Sequence, residues 1–161
     1  MGKGWENFDL GWQTYAGWPE TLSILEAEAE LALAKGELGR AKRRTEELLE
    51  KYEELKLSHF KPGVLYLRGK IELASGNKEA AYRSLCNALA LSDEMGAHRQ
   101  VWEMCAALSR LETERGNESA AQQLKERARN EAMMIAEHAG TSELSAIFLS
   151  PPDLQLILSA E

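Results

Sequence analysis

Three glycines, Gly36, Gly76 and Gly116, stand at equal intervals of forty positions, and each is followed five residues later by an alanine, Ala41, Ala81 and Ala121. A fixed period of this length marks a chain that repeats one supersecondary unit, each copy burying its apolar face against the next. The repeat extends beyond glycine. Ala29, Gly69 and Ser109 sit seven residues before the turn glycine, aliphatic residues match at Leu31, Ile71 and Leu111, and Leu48, Ala88 and Ala128 fall in step after it. The aligned stretches run from Leu25 to Leu49, Leu65 to Leu89 and Cys105 to Arg129.

A helix-period apolar pattern runs up to each glycine and another resumes just beyond it, so one unit reads as an antiparallel helical hairpin. The glycine closes the first helix, where a residue at positive φ is needed. Asn77 and Asn117 follow at once and suit the N-cap of the second helix, whereas Glu37 holds that place in the first unit and implies a different cap. The small residues on both sides of the turn predict a close approach of the paired helices, near the short end of the usual spacing of about 8–10 Å. The second helix of the first unit is expected over Leu38 to Leu57, with Leu48, Tyr52 and Leu55 along its apolar stripe.

The arrangement resembles the tetratricopeptide repeat, which places a small residue in the first helix, a Gly-Asn or Gly-Asp turn seven residues on, and an alanine five residues further. The likeness covers about Thr21 to Arg129. It departs from the family in its period of 40 against the usual 34 or so. It also departs in the absence of the closing proline, since Pro62 instead suits the first turn of a helix. Such long variants are similar to the repeat regions at the C-terminal end of large bacterial signalling ATPases and transcriptional regulators, as are the segments 95–102 and 148–152. The resemblance implies an all-α fold, a right-handed α-solenoid of stacked hairpins. It divides the single domain into an N-terminal aromatic helix (1–18), repeat one (19–57), repeat two (58–97), repeat three (98–139) and C-terminal capping helices (140–161).

In that family the first helices line a concave groove. Counting back six and ten residues from each turn glycine carries the groove onto Glu26 and Glu30 in repeat one, Tyr66 and Lys70 in repeat two, and Arg110, with Ala106, in repeat three. The resemblance thus implies a surface that is acidic at repeat one and basic at repeats two and three. Lys70 and Arg110 could hold a carboxylate of a peptide partner; a solvated charged face is the competing account.

Two segments lie outside the repeats. Trp5, Phe8, Trp12 and Tyr15 step by three, four and three residues, which puts four aromatics on one side of a helix, and Gly17 and Pro19 end it. The stripe either covers the apolar edge of repeat one, as solenoid ends require, or meets a partner or a second copy of the chain in a homodimer. At the other end, Glu143 to Leu149 and Asp153 to Leu158 read as two short helices split by Pro151-Pro152, with Ile147, Phe148, Leu154, Ile157 and Leu158 covering repeat three.

A formal net charge of −7 opposes nonspecific attraction to nucleic acid or anionic lipid. The one basic run, Lys42-Arg43-Arg44, is followed by Glu46, Glu47 and Glu50 at helical pairing distance, which makes it a salt-bridged face rather than a binding patch. No stretch reads as a secretion signal or a membrane span, so a cytoplasmic setting is expected. In that setting Cys86 and Cys105 read as reduced thiols on apolar faces, and the Asn117-Glu118-Ser119 sequon as a turn.

His59, His98 and His138 recur at the same period, one position short between the first two. Equivalent positions in successive repeats stand at least about 10–12 Å apart, too far to share an ion bound at about 2.0–2.1 Å, so they are placed at helix ends and no metal is expected. There is no His-Glu-x-x-His, no Gly-x-Ser-x-Gly and no phosphate-cradling Gly-x-x-x-x-Gly-Lys-Ser/Thr loop. The chain is therefore expected to be a scaffold that binds a protein or peptide, without catalytic residues or cofactor. The alternatives are a ligand-sensing regulatory segment of a multidomain signalling ATPase and a self-associating architectural module.

Overall fold

The computed structural model describes residues 18–159, without the side chains of residues 18–20 and Asp153. The Trp5, Phe8, Trp12 and Tyr15 stripe lies outside these residues. Eight α-helices and no strand occur among the described residues: α1 (Trp18–Ala34), α2 (Leu38–Glu54), α3 (Lys61–Ala74), α4 (Lys78–Met95), α5 (Val101–Glu114), α6 (Glu118–Glu137), α7 (Ser142–Leu149) and α8 (Pro152–Leu158). A 3-10 turn, Ser58–Phe60, follows α2. Neighbours in sequence pack as antiparallel pairs, α1 with α2, α3 with α4 and α5 with α6. The chain forms two compact units, one ending at Phe60 and the other beginning at Lys61.

The three turns between paired helices are built alike. Gly36, Gly76 and Gly116 adopt φ of 74°, 78° and 79°. In each, the glycine N–H donates to the carbonyl three residues back and the next N–H to the carbonyl five back, as in Glu37 to Ala32, Asn77 to Glu72 and Asn117 to Glu112. This is the left-handed glycine stop that satisfies the last carbonyls of a helix. Asn77 then caps α4, its Oδ1 accepting from the Ala80 N–H at 3.2 Å. Asn117 departs from the expectation: its side chain gives α6 no cap and donates instead to the Glu112 carboxylate at 2.6 Å. Glu37 also caps nothing and faces Arg40 at 3.4 Å.

In the first unit, Leu22, Leu25, Ala29 and Ala32 of α1 are buried, as are Ala41, Thr45, Leu48 and Tyr52 of α2. The basic run is absorbed as expected, with Lys42 near Glu46 at 3.9 Å and Arg44 near Glu47 at 2.8 Å, and Arg44 also reaches Glu28 on α1 at 2.7 Å. Helix α2 stops at Glu54, three residues earlier than its stripe suggested, because Lys56 takes φ of 55° and Leu57 N–H returns to the Tyr52 carbonyl. Tyr52 stacks on Phe60 at 5.5 Å between ring centroids. Gly96 makes the same stop, one repeat on, at the end of α4 with φ of 62°. A left-handed lysine costs about 1 kcal/mol relative to glycine. Lys56→Gly should therefore raise stability by about 0.5–1 kcal/mol in urea denaturation; an unchanged midpoint would show that Lys56 carries no strain.

In the second unit the small residues work as close-approach points. A Cβ on Gly69 would meet Leu85 Cγ at 2.8 Å and Cδ2 at 2.9 Å, so α3 and α4 approach as closely as glycine allows. At the equivalent place Ser109 Oγ donates to the Ala121 carbonyl at 2.8 Å, tying α5 to α6. Tyr66, Leu85, Ala88, Met104, Leu108 and Leu111 form one core cluster spanning α3, α4 and α5. Val101, Cys105, Ala128, Ala132, Leu154 and Ile157 form a second, in which α8 packs on α5 and α6. Helices α7 and α8 match the expected bounds to within one residue, and Thr141 caps α7 through the Leu144 N–H at 3.2 Å. Phe148 meets Trp102 edge-on at 6.3 Å, but Ile147 is exposed and covers nothing, because α7 turns that face to solvent.

Candidate protein-interaction surface

The residues carried over for a groove fall on both units. Glu26 and Glu30 lie on α1 of the first unit, half-buried and exposed respectively. On the second unit Tyr66 is buried in the core cluster, so its role there is packing, and Lys70 Nζ lies over its ring at 4.8 Å. Arg110 lies on the exposed side of α5.

Arg110 borders a groove of about 320 Å³ within the second unit. Ala106, Ser109, Arg110 and Thr113 form its α5 wall, Glu118, Ala121, Gln122 and Lys125 its α6 wall, and Leu156 and Ile157 of α8 close one end. Its origin is a difference in helix length. The 14-residue α5 covers the α3–α4 hairpin, whereas the seven-residue α8 meets α5 and α6 only near Cys105, Ala128 and Ala132. The part of the α5–α6 hairpin nearer its turn is left open.

The sequence of the groove fits that exposure. Tyr66, Leu73, Tyr82 and Leu85 of the α3–α4 hairpin pack in or against the core. One repeat on they become Ala106, Thr113, Gln122 and Lys125. Neither Arg110 nor Lys125 has an ion-pair partner among the described residues, and Leu156 beside them is exposed. The groove thus offers two cationic groups, one carboxylate at Glu118 and an apolar end. Counting from the turn glycine found Ala106 and Arg110 but missed Lys125, Gln122 and Leu156, because it followed the first helices only. The replacement of Leu85 by Lys125 at the matching position was the signal available.

A polar node lies where α4, α5 and the turn after α5 meet. Glu112 is 5% exposed, accepts from Asn117 Nδ2 and from the Tyr82 hydroxyl, and lies 3.6 Å from Arg115. These hydrogen bonds, Tyr82's first, hold the Glu112 carboxyl below its usual range. The same bond, with burial, pushes the Tyr82 phenol up to about 12. Arg115 lies over the Tyr82 ring at 3.6 Å and reaches Glu79 at 2.7 Å. Every group here is satisfied within the fold, which makes the node a joint between hairpins rather than a ligand site.

Among the described residues no three His, Cys, Asp or Glu side chains are grouped to hold a metal ion. His59 lies in the 3-10 turn, His98 meets Glu131 at 3.0 Å ahead of α5, and His138 donates to the Met134 carbonyl at the end of α6. Cys86 and Cys105 are free thiols, and burial pushes Cys105 up to about 11, which suppresses the reactive thiolate. Among the described residues no helix is long and apolar enough to cross a membrane. Compared with protein-family models, curated proteins and solved structures, the chain matches none.

Proposed function

We propose that this chain is a non-catalytic interaction scaffold of stacked helical hairpins, and that the α5–α6–α8 groove holds an acidic, leucine-bearing peptide or helix from a protein partner. The observation that carries the reading is the pair Arg110 and Lys125, both without ion-pair partners among the described residues, beside the exposed Leu156 in one groove. A core-lining position that becomes lysine discourages a purely apolar occupant, since burying an uncompensated ammonium is costly. A carboxylate from the partner removes that cost, and charge-assisted hydrogen bonds of this kind contribute about 1.5–3 kcal/mol each when shielded. The repeat pattern and the helix pairs support a solenoid of the tetratricopeptide kind as the framework.

Fluorescence polarisation with labelled ten-residue peptides combining Asp or Glu with Leu at helical spacing tests this. Binding should weaken with salt and fall by at least tenfold in Arg110→Glu/Lys125→Glu, with helicity and thermal midpoint unchanged. Equal binding of acidic and neutral peptides, or full retention in the double variant, would remove the groove from consideration.

A further inference from the structure

Helices α1 and α5 stand two repeats apart and carry the same face, which α5 buries and α1 exposes. Ile24 is 58% and Leu31 52% exposed; Ala27 between them is exposed and Glu28 half-buried. Their counterparts on α5 are Met104, Leu111, Ala107 and Leu108. Met104, Leu108 and Leu111 are buried in one cluster with Leu85 and Ala88 of α4, and Ala107 packs against it. This is the face with which α5 covers the hairpin before it.

The α5–α6 hairpin has only half of such a cover. Helix α8 packs near Cys105, Ala128 and Ala132, and the stretch nearer the turn is the groove bordered by Arg110, Lys125 and Leu156. Position by position, the bare face and the open groove are complementary. Where α4 has Leu85 and α5 has Leu108, both in the core cluster, the groove has Lys125 and α1 has Glu28. A pair of core leucines has thus become a cation on the open hairpin and a carboxylate on the open helix. Arg44 approaches Glu28 Oε2 at 2.7 Å, and a carboxylate has acceptor room for a second cation. Glu30 is exposed and has no ion-pair partner among the described residues. Helix α1 carries four glutamates and no lysine or arginine.

We infer that the acidic, leucine-bearing helix taken by the groove is α1 of a second copy of this chain, which rests on the reading of the groove as a protein-binding surface. Helix α1 lies along the open stretch with Glu28 at Lys125, Leu31 turned inward and Ile24 against the exposed Leu156 at the α8 end. Ile24 and Leu31 are seven residues apart, two turns or about 10.5 Å, so one face of α1 presents both. The two surfaces are different parts of one chain. A copy that gives its α1 keeps its own groove open, so the contact is heterologous and joins copies head to tail.

Sedimentation equilibrium of the full chain tests this. One helix face in a short groove lies at the small end of interface sizes, below about 1,200 Å², so the association is weak. The mass should exceed the 18.0 kDa of one chain at millimolar concentration and fall toward it on dilution or added salt. Glu28→Lys and Lys125→Glu should each weaken self-association at least about tenfold, because each sets like charges opposite one another. An equimolar mixture of the two should assemble again, the lysine face of one entering the glutamate groove of the other. Should Glu28→Lys not fold beside Arg44, Leu31→Asp, exposed in its own hairpin, should abolish association with helicity unchanged. A single-chain mass at every concentration, a mixture no better than its components, or association indifferent to Leu31→Asp would each overturn the assignment. The acidic-peptide titration keeps the two readings apart. If the chain stays single while acidic peptides bind and are lost in Arg110→Glu/Lys125→Glu, the groove stands and α1 is excluded from it; if the peptides fail as well, both readings fall.

Discussion

Leu85→Ala should cost about 2–5 kcal/mol of stability, the loss expected when a fully buried leucine is truncated in a packed core. Leu85 is fully buried and touches the one place where α3 and α4 approach at glycine distance. Gly69→Val should cost about 1–3 kcal/mol on its own, because the new side chain meets Leu85 inside a packed core. Combined, the two changes should lose less than their sum, since the added methyls occupy the space left by the shortened leucine. Chemical denaturation of the four proteins measures this coupling. Strict additivity would mean that the helices separate rather than repack, and that the close approach is not held by Leu85.

Glu112→Ala should cost about 1–3 kcal/mol near neutral pH, because it leaves the Tyr82 hydroxyl and Asn117 amide without their buried acceptor. Its pH signature separates it from an ordinary cavity. The folded-state pKa of Glu112 is depressed, so its contribution is present above the ordinary carboxylate value of 4.5 and lost as pH falls through the lower folded value. Tyr82 works in the opposite sense. Its pKa is raised from 10 to about 12, so its contribution is complete below pH 10 and lost as pH rises toward 12. Urea unfolding of the parent across both windows, against Glu112→Ala and Tyr82→Phe, should show a shallower acid limb in the first variant and a shallower alkaline limb in the second. Parallel curves throughout would show that the hydrogen bond between them does not link proton binding to folding.

The hairpins were legible because each rests on a local backbone demand that few residues meet. Only glycine takes positive φ without cost, so the period of Gly36, Gly76 and Gly116 located three turns, and the small residues at Gly69 and Ser109 located the helix contacts. The end of α2 was not legible. Lysine is an unusual left-handed stop, and the apolar stripe through Leu55 continued past it. Asn117 was misassigned because asparagine can serve a cap or a neighbour, and only the fold brings Glu112 within 2.6 Å of it. The groove was half legible. Its α5 wall follows from one helix's sequence, whereas its opening depends on α8 being half the length of α5, a comparison between elements far apart in the chain.

The left-handed stops at Lys56 and Gly96 carry a consequence for how such a chain can change length. Inserting one residue in a helix turns everything beyond it by about 100°, which would swing a buried stripe into water. Duplicating or deleting the whole stretch from Leu57 to Gly96 returns every side chain to its former face and leaves the same backbone corner at the junction. Within the helices, length is therefore tolerant of whole-repeat increments and intolerant of single residues. Growth or loss by whole hairpins is the variation its architecture permits most readily.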